Sequence, residues 1–355
     1  MSLVSIIGNY GGVVMAADLA ISTSNESFRP VVLPVRNLET ARQDFPEQFL
    51  VSLRQKMIII KDRLLIGATG NVQAIREMFI SASDHFLHRD ISEVILNDYI
   101  NSLVGRRSQV DFSGLFALPS DNPSHIVAIR SIGALLTETH PSFDSVRSIG
   151  TGAGEWNRYF SQQAPYFDGT SINPSQILLK VLTSAMYFLD EERQSPDNLQ
   201  NGWGGFFDFV YFDAAEKRFK RPDKIAYGFW TIDIGADPPQ LQPLSLLRAV
   251  HTDHNFYIQH YSFRPESYRV YLVPEIHQAA VADDAPVSFD FTCQQLVSAV
   301  HIYRNGERYS TLFTVDSVLP GEPTLLISQE MDGYWAIGWS QRLSDNLLQK
   351  VMASL

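Results

Sequence analysis

A chain of 355 residues with 45% hydrophobic and 19% charged residues has material for a sizeable core, enough for two domains or for one large domain with an extension. A formal net charge of −11 leaves no basic excess for nucleic acid or an anionic membrane, and no uncharged apolar run reaches the length of a spanning helix. The single cysteine, Cys293, excludes a disulfide scaffold and a cysteine-based zinc site, and it fits a reducing, cytoplasmic compartment.

The first 18 residues predict two strands, 3–7 and 12–17, joined by a turn at Asn9-Tyr10-Gly11-Gly12. No Lys or Arg precedes Arg29, so this apolar start lacks the positive segment of a secretory leader. The two ends of a hairpin lie side by side, which brings Ser2 within reach of Asp18. If Met1 is removed, Ser2 carries a free α-amine beside its own hydroxyl, a nucleophile with a built-in base. Taken alone, such a strand more often only fills a sheet.

Residues 19–55, polar and interrupted by Pro30, Pro34 and Pro46, predict a long irregular connection. Lys56–Lys61 and Leu64–Gly70 form a second hairpin, and the period then becomes helical from Asn71 to about Leu87. Asp90 with Glu93 has capping-box spacing for the next helix, whose stripe runs from Ile91 to Leu103. Strands follow over 112–118 and 126–132, with shorter ones at 135–137 and 145–149. Gly150-Thr151-Gly152-Ala153-Gly154 leads into a helix over 155–162; it lacks the P-loop lysine and the dinucleotide-fingerprint spacing. Asn173-Pro174-Ser175 opens a helix to Arg193, with Ile177, Val181, Leu182, Ala185 and Leu189 on its core face. A glycine-rich loop at 195–205 precedes strands at 206–212 and 225–235.

Strands bracketing paired helices predict an α+β fold, a four-layer αββα sandwich over residues 1–235. Beyond the linker-like Gly235-Ala236-Asp237-Pro238-Pro239, strands at 268–273, 287–292, 298–303, 308–315, 323–328 and 334–339 and a helix at 344–354 predict a β-rich extension or small domain, 236–355. His251 and His254 lie in a polar loop and are expected to be solvated; no metal or cofactor is expected.

Three stretches together resemble the proteasome β-subunit family of N-terminal nucleophile hydrolases, over roughly residues 1–220. Gly12–Asp18 is similar to the family's second strand. Lys56–Ile60 with Leu64–Gly70 is similar to its lysine-bearing hairpin, and Ser148–Gly152 to its Gly-(Ser/Thr)-Gly turn. Asp18 follows Ser2 by 16 positions and Gly70 follows Lys56 by 14, the family's separations. The resemblance implies a peptidase or other amidohydrolase that assembles as an oligomer. It implies Ser2 as nucleophile, Lys56 lowering the effective pKa of the hydroxyl, Asp18 holding Lys56, and the Gly70 N–H facing the oxyanion. Thr151 would sit close to the α-amine, and Ser22 would bind substrate backbone as an added strand.

Departures from the family pattern are Ser in place of Thr, Leu19-Ala20 in place of Ser-Arg, and a longer loop before Lys56. Gln200-Asn201-Gly202-Trp203 stands in place of Asp-x-x-Ser, leaving Asp197 as the nearest acid. The competing expectation is an inactive scaffold of the same fold. There each residue has a structural role: Lys56 starts a strand, Asp18 caps a turn, Thr151 is a turn hydroxyl.

Overall fold

The computed structural model describes residues 2–9, 12–23, 33–35, 49–105, 111–122, 125–140, 143–162, 174–195, 197–222, 225–252, 255–263, 266–278, 295–317, 325–329 and 335–355. The protein is a mixed α/β chain with several sheets, in two compact units. The first is Met1–Pro222 with Val273–Ala280, and the second is Asp223–Leu272 with Val281–Leu355. Among the described residues no helix is long and apolar enough to cross a membrane.

The first unit opens with β1 (Leu3–Asn9) and β2 (Gly12–Asp18), then β3 (Ala20–Thr23), β4 (Phe49–Leu53), β5 (Met57–Ile60) and β6 (Leu64–Gly70). Helices α1 (Val72–Leu87) and α2 (Glu93–Gly105) precede β7 (Phe112–Pro119), β8 (Val127–Ile132), β9 (Leu136–His140) and β10 (Phe143–Gly150). Helices α3 (Ala153–Gln162), α4 (Pro174–Gln194) and the short α5 (Asp197–Gln200) lead to β11 (Phe207–Asp213) and β12 (Arg218–Lys220).

One antiparallel sheet has the order β12-β11-β2-β1-β10-β9 and a second the order β5-β6-β7-β8. Alternation explains why β2 is buried along its whole length. Val13, Met15 and Ala17 join Val4 and Ile6 of β1 in a cluster with Met57, Leu65 and Leu115 of the second sheet. The opposite face of β2 lies against α4, while α3 packs on β10 and β9. The second sheet gives its other face, through Ile58, Ile66 and Phe116, to Ile75, Phe79 and Phe86 of α1 and to Leu96 and Tyr99 of α2. Two helix caps are clear. Asn71 accepts from the Gln73 and Ala74 N–H groups at the start of α1, while Ser92, not Asp90, caps α2 through Ile95 N–H. Glu93 is therefore free of the capping box, and its carboxylate pairs with Arg130 instead.

The 19–55 stretch is not wholly irregular, since Ala20–Thr23 and Phe49–Leu53 pair as a two-stranded ribbon on either side of the prolines. In the second unit, β13 (Ile225–Asp233), β14 (Leu241–His251), β15 (Phe256–Phe263), β16 (Glu266–Val273), β17 (Gln295–Arg304) and β18 (Glu307–Ser317) form one sheet, ordered β16-β15-β14-β13-β17-β18. The strand expected to close the first domain, 225–235, belongs here. β13 runs antiparallel to β14 and parallel to β17, so the boundary falls at 222 and not at 235. The linker-like 235–239 stretch is the connection of the β13–β14 hairpin. Strands β14 and β15 escaped the sequence pattern because polar residues interrupt their apolar ones.

The ribbon β19 (Leu325–Gln329) and β20 (Trp335–Trp339) and the helix α6 (Gln341–Ala353) complete this unit. Leu343, Leu347 and Val351 of α6, four residues apart, pack against Trp230, Leu246 and Val300. The turn residues Tyr10 and Gly11, the strand expected at 287–292, Cys293 and His254 lie outside the described residues. His251 stacks on Phe256, with ring centroids 4.3 Å apart.

Candidate active site

Asp18 ends β2, and the antiparallel register sets it beside the start of β1, where Val4 faces Ala17. The Leu3 N–H donates to Asp18 Oδ1 at 2.6 Å. On the other side β11 places Phe207 opposite Asp18, and the glycine turn before it sends the Gly204 N–H to Asp18 Oδ2 at 2.9 Å. Gly204 has φ +120°, and its neighbour Gly205, with φ +81°, donates its N–H to Glu192 Oε2 at 2.8 Å. Two successive amides of one left-handed turn thus bind two buried carboxylates.

Lys56 enters from the second sheet, immediately before β5. Its Nζ donates to Asp18 Oδ1 at 2.7 Å and to the Ala20 carbonyl at 2.7 Å. Lys56 is 1% exposed and Asp18 0%. A buried ion pair costs more in desolvation than it returns unless its remaining donors and acceptors are satisfied. Here Asp18 accepts from one ammonium and two amides, and two of the three ammonium protons of Lys56 have acceptors. Burial lowers the Lys56 pKa against the pull of Asp18; burial likewise raises Asp18, opposed by Lys56 and the two amides.

The backbone on either side of Lys56 is held from far away in the chain. Gln55 N–H donates to the Pro274 carbonyl at 3.1 Å, and Ile276 N–H donates to the Gln55 carbonyl at 3.2 Å. The Gln55 side chain donates to the Val273 carbonyl at 2.8 Å and accepts from Arg221 Nη2 at 3.1 Å. Arg221 also donates to the Met57 carbonyl at 3.3 Å.

The Gly150-Thr151-Gly152 turn wraps the Ser2 peptide. Ser2 N–H donates to Thr151 Oγ1 at 3.2 Å, and Gly152 N–H donates to the Ser2 carbonyl at 3.4 Å. A Cβ at Gly150, whose φ is +94°, would overlap the Ser2 carbonyl oxygen. A Cβ at Gly152 would lie 2.5 Å from the ring of Trp203. Ser2 itself is 2% exposed in the full chain.

The expected residues divide accordingly. Ser2, Asp18, Lys56 and Thr151 come together at one end of the β1–β2 pair. Gly70 ends β6 with φ +123°, where a Cβ would lie 2.6 Å from the Asp111 carbonyl oxygen. Its neighbour Thr69 lies near the Ser2–Gly150 junction, since the same hypothetical Cβ on Gly150 would be 3.1 Å from Thr69 Cγ2. Ser22 lies on β3 where the register with β4 shifts, its Oγ buried without a partner among the described residues. Asp197 is exposed at the start of α5 and shows no bond to Ser2 among the described residues.

Sequence reasoning missed the Ala20 carbonyl, Gln55, Glu192 and Gly204. Glu192 carried a signal: it continues the core-facing series Ala185, Leu189 of α4 at helical spacing, and an acid on an apolar stripe needs a buried partner. The Leu19-Ala20 departure leaves the Lys56 contact intact, because that contact uses a backbone carbonyl and no side chain. No protein-family model matches the chain, and a search of curated proteins finds no match.

Proposed function

We propose that the first unit is an N-terminal nucleophile amidohydrolase of the proteasome β-subunit kind, with Ser2 as nucleophile once the Met1–Ser2 bond is cleaved. In this reading the two sheets are the inner layers of an αββα sandwich, with α1 and α2 outside one and α3 and α4 outside the other. The pairwise packing of those elements supports it. The observation that carries the function is the buried Lys56 ammonium, 2.7 Å from both Asp18 and the Ala20 carbonyl, where β2 ends beside the start of β1 and Ser2. An apolar pair would fill that space at lower cost in stability, so the charge is best explained by its use.

The chemistry follows. The α-amine of Ser2, aimed by Thr151 Oγ1, takes the hydroxyl proton as Oγ attacks an amide carbonyl. Lys56 stabilises the developing negative charge on Oγ, and the Gly70 N–H receives the carbonyl oxygen, a donor worth about 3 kcal/mol. The α-ammonium returns the proton to the leaving amine, an ester forms on Ser2, and water cleaves it by the reverse route. Substrates are peptides or other amides, bound as an added strand along Ser22, and the enzyme is a cytoplasmic homo-oligomer.

A second reading, an inactive scaffold of the same fold, is favoured by the 2% exposure of Ser2 and by Trp203 where the family carries a hydroxyl residue. Intact-mass measurement with a β-lactone or epoxyketone probe separates the two. The hydrolase reading expects Met1 absent and one adduct on Ser2, with Ser2→Ala folded and unlabelled. Uniform retention of Met1 without an adduct supports the scaffold, and labelling that persists in Ser2→Ala overturns the nucleophile assignment.

A further inference from the structure

At the end of β1 opposite Ser2, the space between the two sheets of the first unit changes character. The β1 residues facing that space run Val4, Ile6, Gly8; their β10 partners run Ile149, Arg147, Ser145. Large apolar side chains fill the Ser2 end, whereas a glycine, a serine and an arginine occupy the other. A cavity of about 380 Å³ results, walled by Val127 and Ile129 of β8 and by Arg147, Arg130, Ser145 and Ser120. That volume lies at the small end of the range of ligand sites, roughly 300–1,000 Å³. With six residues from Ser2 to Gly8, the cavity is about 20 Å from the candidate active site.

Its charges are unequally placed. Glu93 also lines it, but one carboxylate oxygen accepts from Arg130 Nη2 at 2.7 Å and the other from Ser120 Oγ and the Asp121 N–H. Arg130 is committed to Glu93, to Asn97 Oδ1 at 3.1 Å and to the Ile129 carbonyl. Arg147, partly buried, has no carboxylate or carbonyl partner among the described residues. Burial and the nearby Arg130 guanidinium both hold its pKa below the usual arginine value. Arg147 is a half-exposed guanidinium with five donors and, among the described residues, no carboxylate or carbonyl acceptor, so its fork is left to a ligand or to solvent.

We infer that this cavity is a binding site for a small oxyanion, a carboxylate or phosphate on a short apolar body, with Arg147 as its bidentate anchor. Ser145 and Ser120 border the polar end, and Val127 and Ile129 take the hydrocarbon. The site is separate from Ser2, so the inference stands whether or not the unit is a hydrolase.

The full-length protein is titrated with hexanoate and, separately, with hexyl phosphate at constant ionic strength, by calorimetry and thermal melting. Saturable binding of one of them with a rise in melting temperature is expected, and the tighter probe tells carboxylate from phosphate. Arg147→Met is expected to weaken that binding by at least about tenfold, while Arg147→Lys, which keeps the charge without the fork, weakens it less. Without anion, Arg147→Met is expected to melt at or above the wild-type temperature, because an uncompensated cation has been removed. Three results overturn the assignment: neither probe binds, Arg147→Met binds as wild type does, or Arg147→Met melts well below wild type without anion, which would make the arginine structural.

Discussion

The two ends of the β1 strand pair both place a cation between sheets, and they treat it in opposite ways. At the Ser2 end, Lys56 is 1% exposed and meets Asp18 and the Ala20 carbonyl, each at 2.7 Å. At the far end, Arg147 is partly buried and meets, among the described residues, only the repulsion of Arg130. The first charge is built into the fold with its counter-ion; the second lacks one. Both cost desolvation, so neither is explained by stability, and the difference lies in where the compensating negative charge comes from. At the Ser2 end it is a residue of the chain, and at the far end, on our proposal, a ligand.

The sharpest way to break this contrast is to remove one half of the internal pair. Lys56→Met leaves the Asp18 carboxylate buried against two amides without its ammonium, and the expected loss is about 3–5 kcal/mol in chemical denaturation. Lys56→Met combined with Asp18→Asn, which keeps an acceptor for the Leu3 N–H, is expected to recover part of that loss, a coupling that additive single changes would contradict. On the hydrolase reading, probe labelling of Ser2 is abolished in both variants. Arg147→Met, by contrast, is expected to cost nothing without its anion.

A third buried cation adds a test that reads the cost of burial through pH. Lys180 of α4 is 2% exposed, its ammonium 4.7 Å from the centroid of the Phe143 ring, and burial drops its pKa from 10.5 to about 8. Between those values the unfolded chain binds more protons than the folded one, so folding stability gains from Lys180 as pH rises from about 8 towards 10.5. Below about 8 the full cost of charging the buried amine is present. Lys180→Met is expected to flatten that rise and to be the more stable protein at neutral pH, as read from urea midpoints across the alkaline range. A Lys180→Met profile that keeps the wild-type rise would assign it to other groups.

How far the sequence revealed this arrangement depends on the range of the interactions. The β1–β2 hairpin, the β5–β6 hairpin and α1 were legible because their apolar periods are local, and hairpin geometry alone brings the two ends of the first pair together. The Lys56–Asp18 contact came through the family resemblance, since nothing within either strand reveals that two different sheets meet there. Gln55 was invisible, because its partners at 273–276 lie more than two hundred residues downstream, beyond strands of the other unit. The β14 and β15 strands were lost for a different reason, having polar residues on strands that pack within a broad sheet. Arg147 was legible only as a charge in a short strand, and its meaning needed the register that places it next to Ile6.

The smallest expected effect separates positioning from structure at the Ser2 end. Thr151 is exposed, and its Oγ1 accepts the Ser2 N–H at 3.2 Å and donates to the Ser2 carbonyl at 3.5 Å, so Thr151→Val removes these two hydrogen bonds and almost no buried surface. The melting temperature is expected to stay within error. If the Ser2 nitrogen is the base, losing the group that aims it raises the barrier by about 0.5–1.5 kcal/mol, a severalfold slower rate of probe labelling. Thr151→Ser keeps the oxygen and is expected to restore the rate, which a loss caused by altered packing would not do, because serine lacks the methyl group that valine retains. Equal labelling rates in the valine and serine variants would show that the Ser2 nitrogen needs no orientation from this turn, and the work of the glycine-rich loop would then be limited to the close approach at Gly150.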